Sequence, residues 1–236
     1  MTVSTLTLVR HGQAEPFQRE SAKLTPLGEE QAAKLGQFWL RNQVRFDEVH
    51  SGALPRQTRT EQVVGECYRA AGRPWPEAHV DRAWNEYDAT GVMQHLVPAD
   101  ARLAALAAEF EAARTGPDGY RRFQRMFEAA MLAWLDGTME NDGVEPWTAF
   151  RDRVTGAIRR ITEGPASRRV AVFTSGGPIG FAVQFALRAP ARSFLDTNWR
   201  VRNGSVTEFV FDRERFTLDS FNGIAHLDDA ALRTYR

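Results

Sequence analysis

Arg10-His11-Gly12 follows directly on the apolar run Leu6-Thr7-Leu8-Val9. A guanidinium, an imidazole and a glycine in that order suit the handling of an anion. Arginine offers planar donors that match phosphate oxygens. Glycine lets the backbone turn tightly and bring an N–H close to an anion. Arg56, in the stretch GALPRQTRT, offers a second guanidinium. His11 has three possible uses: phosphate ligand, acid or base, and nucleophile. Two nearby guanidiniums penalise an imidazolium and favour the neutral ring, which is the form that attacks. A further stretch, Thr174-Ser175-Gly176-Gly177-Pro178, supplies a hydroxyl, and the N–H groups of Gly176 and Gly177 stand at a candidate helix start.

These residues are useful only if the fold brings them together. Leu6–Val9 reads as a strand buried on both faces. The helix that follows starts at Thr25, a capping residue, with Pro26 in the first helical position and Glu29 and Glu30 at the positive end of its dipole. Ala32, Leu35, Phe38 and Trp39 share one face of it. FDEVH (46–50), EAHVD (77–81) and RRVAVFT (168–174) are further strand candidates, with helical patterns between them. SVTEFVFD and RFTLDSFN read as a closing hairpin or two neighbouring strands. Strands alternating with helices predict an α/β fold, a three-layer doubly wound sheet, mostly parallel. The segment from about 91 to 142 has two helical patterns and no strand, and reads as a helical insertion within a single domain spanning 1–236, expected to cap the active site. In open α/β sheets ligands bind beyond the carboxyl ends of strands. That rule selects Arg10-His11-Gly12, His50 to Arg56, and Thr174 to Gly176.

The bulk numbers set limits on partners. Lys+Arg and Asp+Glu are both 30 in 236 residues. A general nucleic-acid or membrane-surface binder would show a basic excess, so neither partner is expected. The single cysteine, Cys67, allows no intrachain disulfide and reads as a structural thiol. The five histidines are scattered, and none pairs at i, i+4 beside a glutamate, so no metal site and no cofactor are expected. The longest uncharged run, Val170 to Leu187, is divided by Gly176-Gly177-Pro178 and reads as strand, turn and buried helix rather than a membrane span. No signal peptide is evident, and a cytoplasmic monomer or homodimer is expected.

LVRHGQAE, LTPLGEEQAAKLG, SGALPRQTRT, RAWNEYD, VAVFTSGGPI and NGSVTEFVFD follow one another in order. Together they resemble the histidine phosphatase superfamily, the phosphoglycerate mutase-like fold, over nearly the whole chain except the segment around 91 to 142. The resemblance implies roles. His11 matches the nucleophile that becomes phosphohistidine, Arg10 the arginine just before it, and Arg56 the second phosphate-binding arginine. Glu86, in WNEYD, falls on the acid that protonates the leaving oxygen and then activates water. Gly12, Gln13, Ser175 and Gly176 complete the expected phosphate- and substrate-binding set. The implied activity is a metal-independent phosphatase acting on a small phosphorylated substrate, with phosphate as product.

The pattern departs from the family at the end of the strand at 170. Ser175 stands where the family has a second histidine before Gly-Gly. A serine donates one hydrogen bond and supplies no cation. Loss of one well-aimed donor from such a site costs about 10²–10³ in rate. Three readings follow: an active phosphatase using Ser175 as a neutral donor, one in which His50 supplies the missing imidazole, and a phospho-ligand binder with weak turnover. A mutase-type phosphotransferase is disfavoured, because Phe17 stands where the family's mutases have an asparagine. Arg121, Arg122 and Arg125 are either a reach toward a second anionic group or a solvated basic face.

Overall fold

The computed structural model describes residues 3–15, 22–137 and 143–235; Phe17 lies outside them. Six strands form one sheet: β1 (Ser4–Arg10), β2 (Glu48–Ser51), β3 (Ala78–Val80), β4 (Arg169–Thr174), β5 (Val206–Phe211) and β6 (Phe216–Gly223), in the order β3-β2-β4-β1-β5-β6. The first four run parallel to one another, β5 runs antiparallel to β1, and β6 antiparallel to β5. The α/β class and the mostly parallel sheet are therefore as expected, and the last two strands form the hairpin. Among the described residues there are eight α-helices: α1 (Pro26–Arg41), α2 (Pro55–Ala70), α3 (Ala89–Ala99), α4 (Ala101–Ala113), α5 (Gly119–Leu135), α6 (Trp147–Thr162), α7 (Gly176–Leu187) and α8 (Arg192–Asn198).

Two compact units divide the chain: Met1–Glu86 with Arg153–Arg236, and Tyr87–Asp152. In the first, β1 and β4 sit at the centre because they are apolar on both faces. Leu6, Leu8, Val170 and Val172 are fully buried on one side, and Val9, Ala171 and Phe173 on the other. The second side packs against Ala32, Leu35 and Trp39 of α1 and Val63, Val64 and Tyr68 of α2. Each buried Val, Leu or Phe among them contributes about 1.5–3 kcal/mol by leaving water. Helix α1 starts as its sequence predicts: the Thr25 side chain accepts from the Gly28 N–H at 3.1 Å, with Pro26 opening the helix. Helix α7 is buried from Gly176 to Val183, which is why its sequence is apolar all round. Cys67 is half-buried, and burial raises its thiol pKa.

The unit Tyr87–Asp152 is helical, with α3, α4 and α5 packed on one another. The sequence patterns indicated two helices there; α3 is the third. Pro98 concealed it, since proline usually breaks a helix. It is tolerated here because it falls in the last turn, while Asp88 caps the start by accepting from the Gly91 N–H at 2.9 Å. Met126, Ala130, Met131 and Trp134 form the buried face of α5, and Tyr87 stacks on Trp134 at 4.9 Å. The basic residues of α5 face acids. Arg121 pairs with Asp118 at 3.1 Å, and Arg122 and Arg125 both reach Glu109 at 3.4 Å.

Candidate active site

Strand β1 delivers His11 to the carboxyl end of the sheet. The ladder continues one residue past the strand, with the His11 N–H donating to the Thr174 carbonyl at 2.9 Å. His11 is 6% exposed. Its Nδ1 lies 2.7 Å from the Gly12 carbonyl. A carbonyl only accepts, so Nδ1 carries the proton. Its Nε2 lies 3.1 Å from Arg56 Nε. A guanidinium only donates, so Nε2 presents its lone pair. The two partners define one tautomer, neutral and protonated on Nδ1. Burial, then the charges of Arg56 and Arg10, hold the His11 pKa well below its ordinary value. The backbone is pinned as well: the Gly204 N–H donates to the carbonyls of Arg10 and His11 at 3.1 and 3.2 Å, and Asn203 Nδ2 donates to the His11 carbonyl at 3.4 Å.

Arg10 ends β1, and its guanidinium donates to the Val201 carbonyl. Arg56 sits in the first turn of α2, just after Pro55. One turn later, the Thr60 hydroxyl donates to the Arg56 carbonyl at 2.7 Å and accepts the Gly12 N–H at 3.1 Å. The Gly12 N–H was expected near an anion; the structure gives it to Thr60 instead. The glycine is needed for space. A Cβ there would lie 2.3 Å from the Gly28 carbonyl oxygen, and one on Gly28 would lie 2.0 Å from the Gln13 oxygen. Gln13 ties the loop to α1: its N–H donates to Gln31 Oε1 at 2.7 Å, and its Oε1 accepts from the Thr25 hydroxyl at 2.9 Å.

The third strand end brings Ser175 and Glu86 together. Ser175 is fully buried and in the N-cap position of α7, yet its side chain makes no capping bond. Its Oγ accepts instead from Gln57 Nε2 at 2.8 Å. The open end of α7 is served by Glu86, whose two carboxyl oxygens accept the Gly177 N–H at 3.0 and 3.1 Å. The Gly177 N–H thus goes to Glu86 rather than joining Ser175. At Gly176 a Cβ would lie 2.4 Å from Asn198 Oδ1, so a side chain there would displace the Asn198 amide. Arg153 holds the segment before Glu86 by donating to the Ala83 and Asn85 carbonyls, both at 2.8 Å.

His50 takes a different course. Its Nε2 lies 2.6 Å from Glu48 Oε1, and its ring lies 5.4 Å from that of His79. It is part of a cluster on β2 and β3, committed to Glu48. Among the described residues no group of three or more His, Cys, Asp or Glu is placed to hold a metal ion, and no helix is long and apolar enough to cross a membrane.

Reading by strand ends found Arg10, His11, Arg56 and Ser175 but missed Gln57, Thr60, Asn203 and Arg153. Thr60 follows Arg56 by four residues, the spacing of one helical face. Gln57 stands in the third helical position, counting Pro55 as the first, where a glutamine reaches back to the cap. Asn203 precedes a turn glycine, and Arg153 carried no local signal.

A mostly parallel sheet with a buried histidine beyond the end of its first strand, under the charges of Arg56 and Arg10, makes this an α/β protein with a cationic strand-end site. Residues 6–223 match the model of the histidine phosphatase superfamily (branch 1), and the chain belongs to that superfamily. Phosphoglycerate mutase-like protein 4 of Arabidopsis thaliana is 25% identical over 232 residues, which is 95% of this chain and 87% of that protein. Phosphoglycerate mutase from Bacillus anthracis superposes with a TM-score of 0.66 at 18% identity, covering 96% of both chains. Alpha-ribazole phosphatase from Shigella flexneri does so with a TM-score of 0.60 at 21% identity, covering 94% of this chain and 97% of that one.

Proposed function

We propose that this protein is a metal-independent phosphatase that hydrolyses phosphomonoesters of small metabolites through a phosphohistidine on His11. The observation that carries this reading is the state of the imidazole. Nδ1 is anchored on the Gly12 carbonyl, and Nε2 offers its lone pair beside Arg56.

In the first step the Nε2 lone pair attacks phosphorus and forms the P–N bond as the P–O ester bond breaks. Arg10 and Arg56 stabilise the charge spread over the equatorial oxygens. The leaving oxygen takes a proton from Glu86 and departs as an alcohol. In the second step Glu86 takes a proton from water as its oxygen attacks phosphorus. The P–N bond breaks, its electron pair returns to Nε2, and phosphate leaves. One ester and one water give one alcohol and one phosphate. The burial of His11 and Ser175 favours a terminal phosphate on a small molecule over a broad protein surface. The alpha-ribazole phosphatase among the similar structures accords with that class.

The test is hydrolysis of an aryl phosphate with chelator present, followed by trapping of the phosphoenzyme. Turnover and an acid-labile, base-stable phosphoenzyme are expected. Full activity in His11→Ala would remove the nucleophile from this account.

A further inference from the structure

We infer that Gln57 is a positioning residue that turns the Ser175 hydroxyl into a hydrogen-bond donor for the phosphoryl group. This rests on the phosphatase reading above and extends it to the position where this chain departs from its family.

The hydrogen-bond partners of Gln57 leave its amide one orientation. The Leu54 N–H, at 3.1 Å, only donates, so the atom it meets is the amide oxygen. The Trp84 carbonyl, at 3.0 Å, only accepts, so the atom it meets is the amide nitrogen. An amide flip would set donor on donor and acceptor on acceptor. The nitrogen has two hydrogens: one goes to Trp84, the other to Ser175 Oγ at 2.8 Å. The serine must accept that bond, because the amide nitrogen has no lone pair to receive a proton.

The hydroxyl proton of Ser175 is therefore turned away from Gln57. Ser175 is fully buried, and among the described residues its hydroxyl donates to no group. Neither does it cap α7, the usual use of a serine in that position. A buried donor kept without an acceptor is costly. A phosphoryl oxygen is the acceptor that would complete it, since position 175 stands where the family places a phosphoryl-binding group. Gln57 is itself fully buried, and Gly52 leaves room for it: a Cβ on residue 52 would lie 2.0 Å from Gln57 Oε1.

The test is a double-mutant cycle of Gln57→Glu and Ser175→Ala. It reads kcat on an aryl phosphate and the dissociation constant of orthovanadate. A carboxyl at residue 57 keeps the shape but accepts from Ser175, which turns the serine proton inward. Each single change is expected to lower kcat and weaken vanadate about 10²-fold, the scale for one lost oxyanion donor, with KM little changed. The double variant is expected to be no worse than Ser175→Ala alone. Losses that multiply, or an unchanged Ser175→Ala, would overturn the inference. If Gln57→Glu does not fold, a crystal structure of the wild-type protein with vanadate decides. Ser175 Oγ within hydrogen-bond reach of both vanadate and Gln57 Nε2 supports the inference, and an Oγ turned from vanadate overturns it. A protein that binds vanadate without turnover fails the phosphatase reading yet still reports on Gln57 through the affinities. A wild-type protein that binds no vanadate gives the serine nothing to donate to and overturns this inference.

Discussion

Arg56 Nε lies 3.1 Å from His11 Nε2, on the side of the ring opposite its anchor to Gly12. A guanidinium in that place protects the lone pair from solvent protons while the site waits. On the proposed mechanism it gives up this hydrogen bond as phosphorus arrives, and its donors then fall to the phosphoryl oxygens. On that mechanism the same residue adds to burial in keeping His11 neutral and then balances charge in the transfer.

The acid limb of kcat/KM is expected to lie below pH 6.5, the ordinary histidine value of about 6.5 being lowered at His11 by burial and by Arg56 and Arg10. A pH–rate profile on an aryl phosphate checks this. Arg56→Ala is expected to move the His11 titration upward, read by NMR of the imidazole.

Arg56→Lys keeps the charge and loses the planar fork. A fall in kcat of about 10²–10³ is expected, the scale for removing a donor aimed at developing charge. Steady-state kinetics beside the wild-type protein give the comparison.

Glu86→Gln is expected to discriminate between leaving groups. An alkoxide needs a proton, and loss of a general acid costs about 10²–10⁴. An aryl oxide leaves readily without one. Alkyl phosphates should therefore lose far more rate than nitrophenyl phosphate, and equal losses would place the acid elsewhere.

Stability is expected to fall as pH drops from about 6.5 to about 4. His226 is buried against Phe38, and burial lowers its pKa to about 4. The unfolded chain takes up a proton near pH 6.5 that the folded chain refuses until about pH 4, so acid favours unfolding. The difference is worth about 3 kcal/mol, and His11 acts in the same direction. Urea midpoints at pH 7 and pH 4.5 measure the fall, which should be smaller in His226→Leu.

Gly12→Ala is expected to destabilise by about 1–3 kcal/mol through overpacking, because the new Cβ meets the Gly28 backbone rather than a movable side chain. Thermal unfolding measures this, and the accompanying shift of His11 should lower kcat as well.

What could be read in the sequence was what depends on neighbours in the chain. β1 and β4 are short and apolar because they are buried on both faces, and α1 announces itself through Thr25 and Pro26. The rule that ligands bind at strand ends then grouped Arg10, His11, Arg56 and Ser175. Hydrogen-bond partners distant in the chain could not be read. The Gly12 N–H goes to Thr60 and the Gly177 N–H to Glu86, across 48 and 91 positions. Gln57 escaped notice because the groups that orient it come from three different segments.

The sheet order has a bearing on how the chain acquires its chemistry. β1 is made well before its two neighbours in the sheet, β4 and β5, which begin at Arg169 and Val206. During synthesis the strand that ends beside His11 has neither edge covered by its own neighbours until β4 has been made, a state open to wrong pairing. An unfinished chain would carry His11 without the carbonyl of Thr174 or the Gly204 N–H that hold its backbone, so the candidate site is complete only after both of those later segments have joined it.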